Sequence, residues 1–559
     1  MNEIVRSVQQ ACEALFQIDV TPTLTRPEEK FGDYSTNVAL QIVRQAGKNP
    51  RELAEALADY MRSQKSSVMQ DVSVAGPGFI NMRVSDAALV RMVAAATQKP
   101  QLHAGKVIVT EYSDLNPFKQ AHVGHLYTTI VGDVISRLYE ASGAAVHRVN
   151  FGGDVGLHVA RTMWGITQFL GGEKPEGLQV VGTGPKEQVA WLSARYIEGN
   201  RAYETSEQHK QEIIAINQRV YQVHESGDHE SPFAVLYWKC RDWSYTYFKQ
   251  FYDDLQVTQF EKYYPESMTA PQGVLTVTEQ LHKGVYQNSD GAVVFDGEQY
   301  GLHTRVFINS NGLPTYEAKD VGLSIIKWRD YHFDQSVIIT GSDIIEYMKV
   351  VVKSIEQFEP ELAKRTLHLT HGNVKLAGGV KMSSRLGNGL VPEDVLNAAH
   401  KANHDATGKD DENAVLAAVK HAFLRVRIGA DLIYDPAESV SIHGNSGPYL
   451  QYAHARARSV LRKAVAAAAV PESLEPAERT LARAISHYPE VVAQATTEHM
   501  PHYICTYLYD LAQTFNRFYE HNRVIDDPRE PQRLQLVSWY ADVLKDGLNL
   551  LGIVAPEQM

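Results

Sequence analysis

A chain of 559 residues with 44% hydrophobic residues can fill several cores, and a formal net charge of −12 confines any nucleic-acid contact to local basic patches. Cys12, Cys240 and Cys505 stand far apart without a CxxC pair, so neither a zinc knuckle nor a disulfide framework is expected. No apolar run has membrane-spanning length and the opening MNEIVRSVQQ lacks signal-peptide character, which predicts a cytoplasmic protein without membrane contact.

Residues 1–85 read as a small α/β domain. Apolar positions from Ile4 to Phe16 predict a helix, Pro50 starts another, and VSVAGPGFINMRV predicts two strands about a Pro-Gly turn. A helical stretch near 84–98 leads into the β-branched run Val107–Thr110, a buried strand. The breaker Asn116-Pro117, HVGH (residues 122–125) and a long helical pattern ending near Gly143 follow. VHRVNFGGDVGLHVARTMWGI repeats strand, glycine-rich turn and helix, which predicts parallel βαβ connectivity. Residues 170–260 read as a charged helical insertion, and residues 290–345 as a return to strands, closing with SVIITGSD. In open α/β sheets ligands gather at such strand ends. Glycines at 372, 378, 379, 387 and 389 mark a polar loop. From 437 to 559 the chain reads as a helical domain with Arg456, Arg458, Arg462, Arg517 and Arg523 as local basic character. The fold class is thus α/β: a Rossmann-type parallel-sheet domain over 86–436, flanked by the N-terminal α/β domain and an all-helical C-terminal domain.

Chemistry concentrates in two elements. Histidines 122 and 125 at a helix start can donate to phosphate oxygens in a transition state, and Gly124 lets a flat group approach the backbone. HxxH without the HExxH glutamate argues against a metal site. Far along the chain, Lys381-Met382-Ser383-Ser384-Arg385 offers a lysine, hydroxyls and an arginine suited to polyphosphate.

HVGH and KMSSR resemble the signature motifs of class I aminoacyl-tRNA synthetases. EYSDLNPFKQAHVGHL, FGGDVG, TYEAKD, KMSSRLGN, GPYLQYAHAR and FNRFYE together resemble arginyl-tRNA synthetases along nearly the whole length, with FGDYSTNVAL, KNPREL and VAGPGFIN resembling that family's additional N-terminal domain. The resemblance implies arginine activation by ATP, with Mg²⁺ accompanying the nucleotide, no zinc, and tRNA(Arg) as acceptor and activator. A catalytically idle paralogue that binds tRNA or regulates is the alternative, and a monomer is expected.

Residue by residue, the resemblance assigns His122 and His125 to the α-phosphate and Lys381 to pyrophosphate. Lys119 compensates for the second loop lysine, whose place Ser384 takes. Gly124, Gly341, Asp343, Met382, Ser383, Ser384 and Arg385 are the expected ATP contacts. Glu111, Ser113, Asn116, Tyr316 and Asp320 are the expected arginine contacts, with Asn116 and Ser113 at its amino and carboxylate ends. Tyr452, Arg456, Arg517 and Tyr519 are the expected tRNA contacts, on the grounds that basic and aromatic side chains interleave there. Tyr127, His158, Ile344 and Tyr347 depart from the family pattern.

Overall fold

The computed structural model describes residues 2–64, 67–377 and 390–559. At its centre five strands lie parallel: β1 (Val107–Glu111), β2 (Ala145–Gly152), β3 (Lys262–Pro265), β4 (Gln335–Gly341) and β5 (Thr366–His371). Their spatial order is β5-β4-β1-β2-β3. The chain winds outward from β1 to β3, then returns to the other side of β1. This is a doubly wound order, and its switch point lies between β1 and β4.

Alternation along β1 sends neighbouring residues to different layers. Ile108 packs with α1 (Val123–Ala141) and with Val337 and Ile339 of β4. Val109 joins Val149 with Val321 and Ile326 of α4 (Tyr316–Tyr331) and Val350 and Val351 of α5 (Ile345–Glu356). Both faces are covered, which is why β1 reads as a continuous apolar run.

The stretch from 290 to 345 departs from the sequence expectation. Its first strands, Ala292–Phe295 and Arg305–Ile308, form a separate antiparallel sheet with Gln287–Ser289. TYEAKD then opens the α4 helix, not a strand. Beyond Pro314 the buried positions Ala318, Val321, Gly322 and Ile326 follow helical spacing. Gly322 and Gly273 let α4 cross α3 (Glu266–His282) at backbone contact: a Cβ on Gly322 would stand 2.2 Å from the Thr269 carbonyl oxygen, and one on Gly273 2.0 Å from that of Ala318. This close crossing brings the first turns of both helices to the same end of the sheet.

The 170–260 stretch is helical as expected, with long helices Pro185–Thr205, Glu207–Ser226 and Pro232–Asp254. It is tied to the sheet through Asp154 of FGGDVG, which is fully buried. Asp154 accepts from Arg241 at 2.9 Å, and from the amide and hydroxyl of Ser267 at 2.9 and 2.8 Å.

The N-terminal domain pairs helices with a four-stranded antiparallel sheet. It docks against the C-terminal helices through buried charge. Arg479 reaches Asp33 and Asp86, each at 2.6 Å, and donates to the Val84 carbonyl. Arg26 meets Glu490 at 2.8 Å beside the Tyr34 hydroxyl. Among the described residues no helix is long and apolar enough to cross a membrane.

Candidate active site

A cleft of about 790 Å³ opens at the carboxyl ends of β1 and β4, within the size range of small-molecule sites. The turn after β1, the start of α1, α4 and the turn after β4 all border it.

His122 is the N-cap of α1, and the two histidines form a capping box in which imidazoles replace the usual hydroxyl and carboxylate. The Gly124 amide donates to His122 Nδ1 and the His122 amide to His125 Nδ1, both at 3.1 Å. The rings lie 3.7 Å apart. An Nδ1 that accepts leaves the proton on Nε2, so each ring is a neutral Nε2–H donor. Burial and the nearby Lys119 hold His122 down to about 4, and burial holds His125 well below the usual range. A Cβ on Gly124 would stand 2.8 Å from the His122 ring. The space freed by this glycine is therefore occupied by His122, where the sequence reading reserved it for the nucleotide.

Lys119 has no hydrogen-bond or ion-pair partner among the described residues; burial lowers its ammonium and the Glu266 carboxylate raises it. Gly341 ends β4, and Asp343 stands exposed in the turn that follows, both bordering the cleft. Lys381, Met382, Ser383, Ser384 and Arg385 lie outside the described residues.

Of the expected arginine contacts, Glu111, Asn116, Tyr316 and Asp320 border the cleft with free surface or open valences. Tyr316 and Asp320 share a face of α4, four residues apart. Asp320 accepts from the Tyr347 hydroxyl. Burial pushes its carboxyl up to about 8, against that hydrogen bond and with the help of Glu111. Glu111 is ion-paired with the buried Lys327, which also donates to Ser336 at 3.1 Å. Asn116 Oδ1 accepts the Gly153 amide at 2.9 Å, which leaves its NH₂ for a ligand. Ser113 borders the cleft with its hydroxyl engaged by Thr129 at 2.8 Å and Tyr252 at 3.1 Å.

Three residues escaped the sequence reading. Asp114 follows Ser113 in the turn, and both have left-handed backbones, with φ of 47° and 72°. Glu266 is buried at the start of α3 and paired with Lys319 at 2.5 Å. Arg305 borders the cleft and pairs with Glu317 at 3.1 Å. Only the position of Glu266, an acid directly after a strand in a βα chain, carried a sequence signal.

The departures from the family pattern have structural roles. Tyr127 packs its ring 4.3 Å from His371 and 5.3 Å from Phe423. His371 in turn meets the Thr128 hydroxyl at 2.7 Å, so Tyr127 wedges the end of β5 against α1. His158 donates Nε2–H to the Gly153 carbonyl at 2.6 Å, and burial lowers it to about 3. Tyr347 supports Asp320, and Ile344 gives the cleft an apolar wall.

In the C-terminal domain the expected tRNA contacts fall on two packed helices, Gly447–Lys463 and His502–His521. Tyr452 and Arg517 are exposed, and the Arg456 guanidinium lies 4.7 Å over the Tyr519 ring. Tyr449 and Asn516 join the two helices by a hydrogen bond of 3.0 Å.

A switch-point cleft with paired histidines at a helix start, in a parallel sheet of this order, defines a class I aminoacyl-tRNA synthetase. Residues 87–435 match the family of class I (R) tRNA synthetase catalytic domains, residues 2–84 the arginyl-tRNA synthetase N-terminal domain, and residues 450–559 the DALR anticodon-binding domain. The chain is 27% identical to the arginine–tRNA ligase of Parabacteroides distasonis, covering 100% of this chain and 99% of that one. It is 30% identical to that of Frankia casuarinae, covering 96% and 94%. The arginyl-tRNA synthetase structure of Thermus thermophilus shares its fold, with a TM-score of 0.81 and 22% identity over 100% of both chains. The chain belongs to the arginyl-tRNA synthetases.

Proposed function

We propose that the protein joins arginine to tRNA(Arg) in two steps. ATP and arginine first form arginyl-adenylate and pyrophosphate; the arginyl group then passes to the terminal ribose of the tRNA. The observation that carries this reading is the pairing, in one cleft, of two neutral imidazole donors with a wall of buried and half-buried carboxylates that includes Asp320.

Adenylation is an in-line displacement at the α-phosphate, and it gains most from positioning and charge stabilisation. His122 and His125 donate Nε2–H to the α-phosphate oxygens as charge builds, and because both are neutral no proton has to move. Lys119 approaches the same phosphates and Lys381 the pyrophosphate, with Met382, Ser383, Ser384 and Arg385 completing the ATP site and Gly124 making room for the His122 ring beside it. Gly341 and Asp343 hold the adenosine ribose. Mg²⁺ accompanies ATP and neutralises phosphate charge. Asp320 and Tyr316 take the guanidinium, Glu111 supports that end through its field, and the Asn116 NH₂ takes the substrate carboxylate. Tyr452, Arg456, Arg517 and Tyr519 face the tRNA. The functional division is 1–85, 86–436 with its insertion at 170–260, and 437–559. The protein acts in the cytoplasm as a monomer.

ATP–pyrophosphate exchange with each amino acid, with and without tRNA, tests the reading. Exchange dependent on arginine and on tRNA is expected. Exchange with a different amino acid alone would overturn it, and no exchange with any would favour an idle paralogue.

A further inference from the structure

Four buried or half-buried carboxylates border the cleft on its substrate side: Glu111, Asp114, Glu266 and Asp320. Two have cationic partners within the protein, Glu111 with Lys327 and Glu266 with Lys319. Asp114 and Asp320 have no ion-pair partner among the described residues. Arginine brings two cations, a guanidinium and an α-ammonium, and a carboxylate. Asp320 on α4 answers one cation, which leaves one cation and one carboxylate to be matched.

The polar groups around the β1–α1 turn settle which group can answer. The Ser113 hydroxyl is engaged by Thr129 and Tyr252. Asn116 gives one lone pair of Oδ1 to the Gly153 amide, its NH₂ can only donate and so suits the carboxylate, and its uncharged oxygen is the weaker partner for a cation. Asp114 spends Oδ1 on the Phe151 amide at 2.9 Å and keeps Oδ2 open. An ammonium needs acceptors, and Asp114 Oδ2 is the carboxyl oxygen left without a partner on this turn; burial and the neighbouring Glu111 hold this carboxyl well above the usual carboxylate range, so it gives up its proton to meet a cation. Its left-handed backbone, φ of 47°, swings the carboxylate out of the line of β1 and over the end of β2, a conformation that aspartate and asparagine tolerate better than most residues.

We propose that Asp114 binds the α-ammonium of the amino-acid substrate and, together with Asp320, selects for a substrate bearing two positive charges. The proposal rests on the cleft being the arginine site. It assigns the two ends of the substrate to different carboxylates: Asp114 with Asn116 hold the α-ammonium and carboxylate near the paired histidines, and Asp320 holds the guanidinium.

The test is equilibrium titration of the full chain with arginine, with lysine and with 5-guanidinopentanoic acid, which is arginine with hydrogen in place of its α-ammonium. Asp114→Asn keeps the Phe151 contact and the backbone conformation and removes only the charge. It is expected to weaken arginine binding roughly 10- to 100-fold, as for losing a charge-assisted hydrogen bond, and to leave binding of the des-amino analogue unchanged. Asp320→Asn is expected to weaken both ligands. If Asp114→Asn weakens both alike, Asp114 acts on the guanidinium or through the fold, and the proposal is overturned; if it weakens neither, it is overturned as well. Wild-type protein that fails to prefer arginine over lysine would instead sink the identification of the site, a separate result read in the same titrations.

Discussion

An imidazole whose Nδ1 accepts a backbone amide carries its proton on Nε2, and His122 and His125 are both held this way. Their donors are fixed by the helix start itself, and at His122 burial and Lys119 outweigh the opposing pull of Asp343. Removing one, in His125→Ala, is expected to lower adenylation on the order of a hundredfold. The tRNA dissociation constant should stay within about twofold. Survival of adenylation within about threefold would dismiss the role. Asp320 behaves in the opposite way. Its carboxyl, pushed up to about 8 by burial, is largely protonated at neutral pH while the cleft is empty, whereas a guanidinium binds the ionised form. Arginine binding therefore releases a proton below about pH 8 and tightens as pH rises towards it. From about pH 8.5 down to about pH 6.5 the dissociation constant is expected to rise roughly twentyfold. In Asp320→Asn this dependence should shrink, the remainder coming from Asp114, whose carboxyl burial also holds well above the usual range. A flat profile in the wild type would mean that Asp320 is not the group that meets the guanidinium.

At the scale of elements, the interface between the N-terminal sheet and the helix Pro476–Ser486 is built on charge, not on apolar area alone. Arg479 and Asp33 are 5% and 3% exposed, and Asp33 also accepts the Val84 amide. Arg479→Ala removes the closer of the two guanidinium groups on Asp33, leaving Arg483 at 3.5 Å, and strips the Val84 carbonyl of its donor, a loss on the order of 3 kcal/mol. Hydrogen exchange should accelerate together in Phe79–Val84 and Pro476–Ser486, and far less in β1 and α1. Unchanged exchange at both sites would show that the lock is not limiting. Asp33 and Tyr34 of FGDYS are both engaged in docking to the C-terminal helices. No local pattern could reveal this, because the partners Arg479 and Glu490 lie more than 400 residues away.

For the whole molecule, a net charge of −12 means that tRNA must be gathered by restricted surfaces. Arg517 is exposed and Arg456 is braced on Tyr519, so the two should differ. Arg517→Ala is expected to flatten the slope of log affinity against log salt by roughly 0.7. Tyr452→Ala should weaken binding by about 1–3 kcal/mol with little change in slope, as for a lost stacking platform. An unchanged slope in Arg517→Ala would place that residue outside the interface.

The parallel βαβ core and the helical C-terminal domain were legible because periodicity and glycine turns are local, and so was the start of α1 at His122. The strand-like reading of TYEAKD failed because short apolar runs do not separate strand from buried helix, and the Gly273–Gly322 crossing that holds α4 in place is tertiary. The sequence by itself determined the family, the switch-point cleft and most of the residue types that border it, since these follow from motif and spacing. Only the tertiary structure decided which carboxylates are neutralised by buried lysines and which remain open, that the Ser113 hydroxyl is engaged, and that Tyr127 wedges His371. Those outcomes depend on which distant side chains share a low-dielectric space, where one lysine a few ångströms away decides whether a carboxylate can still meet a substrate.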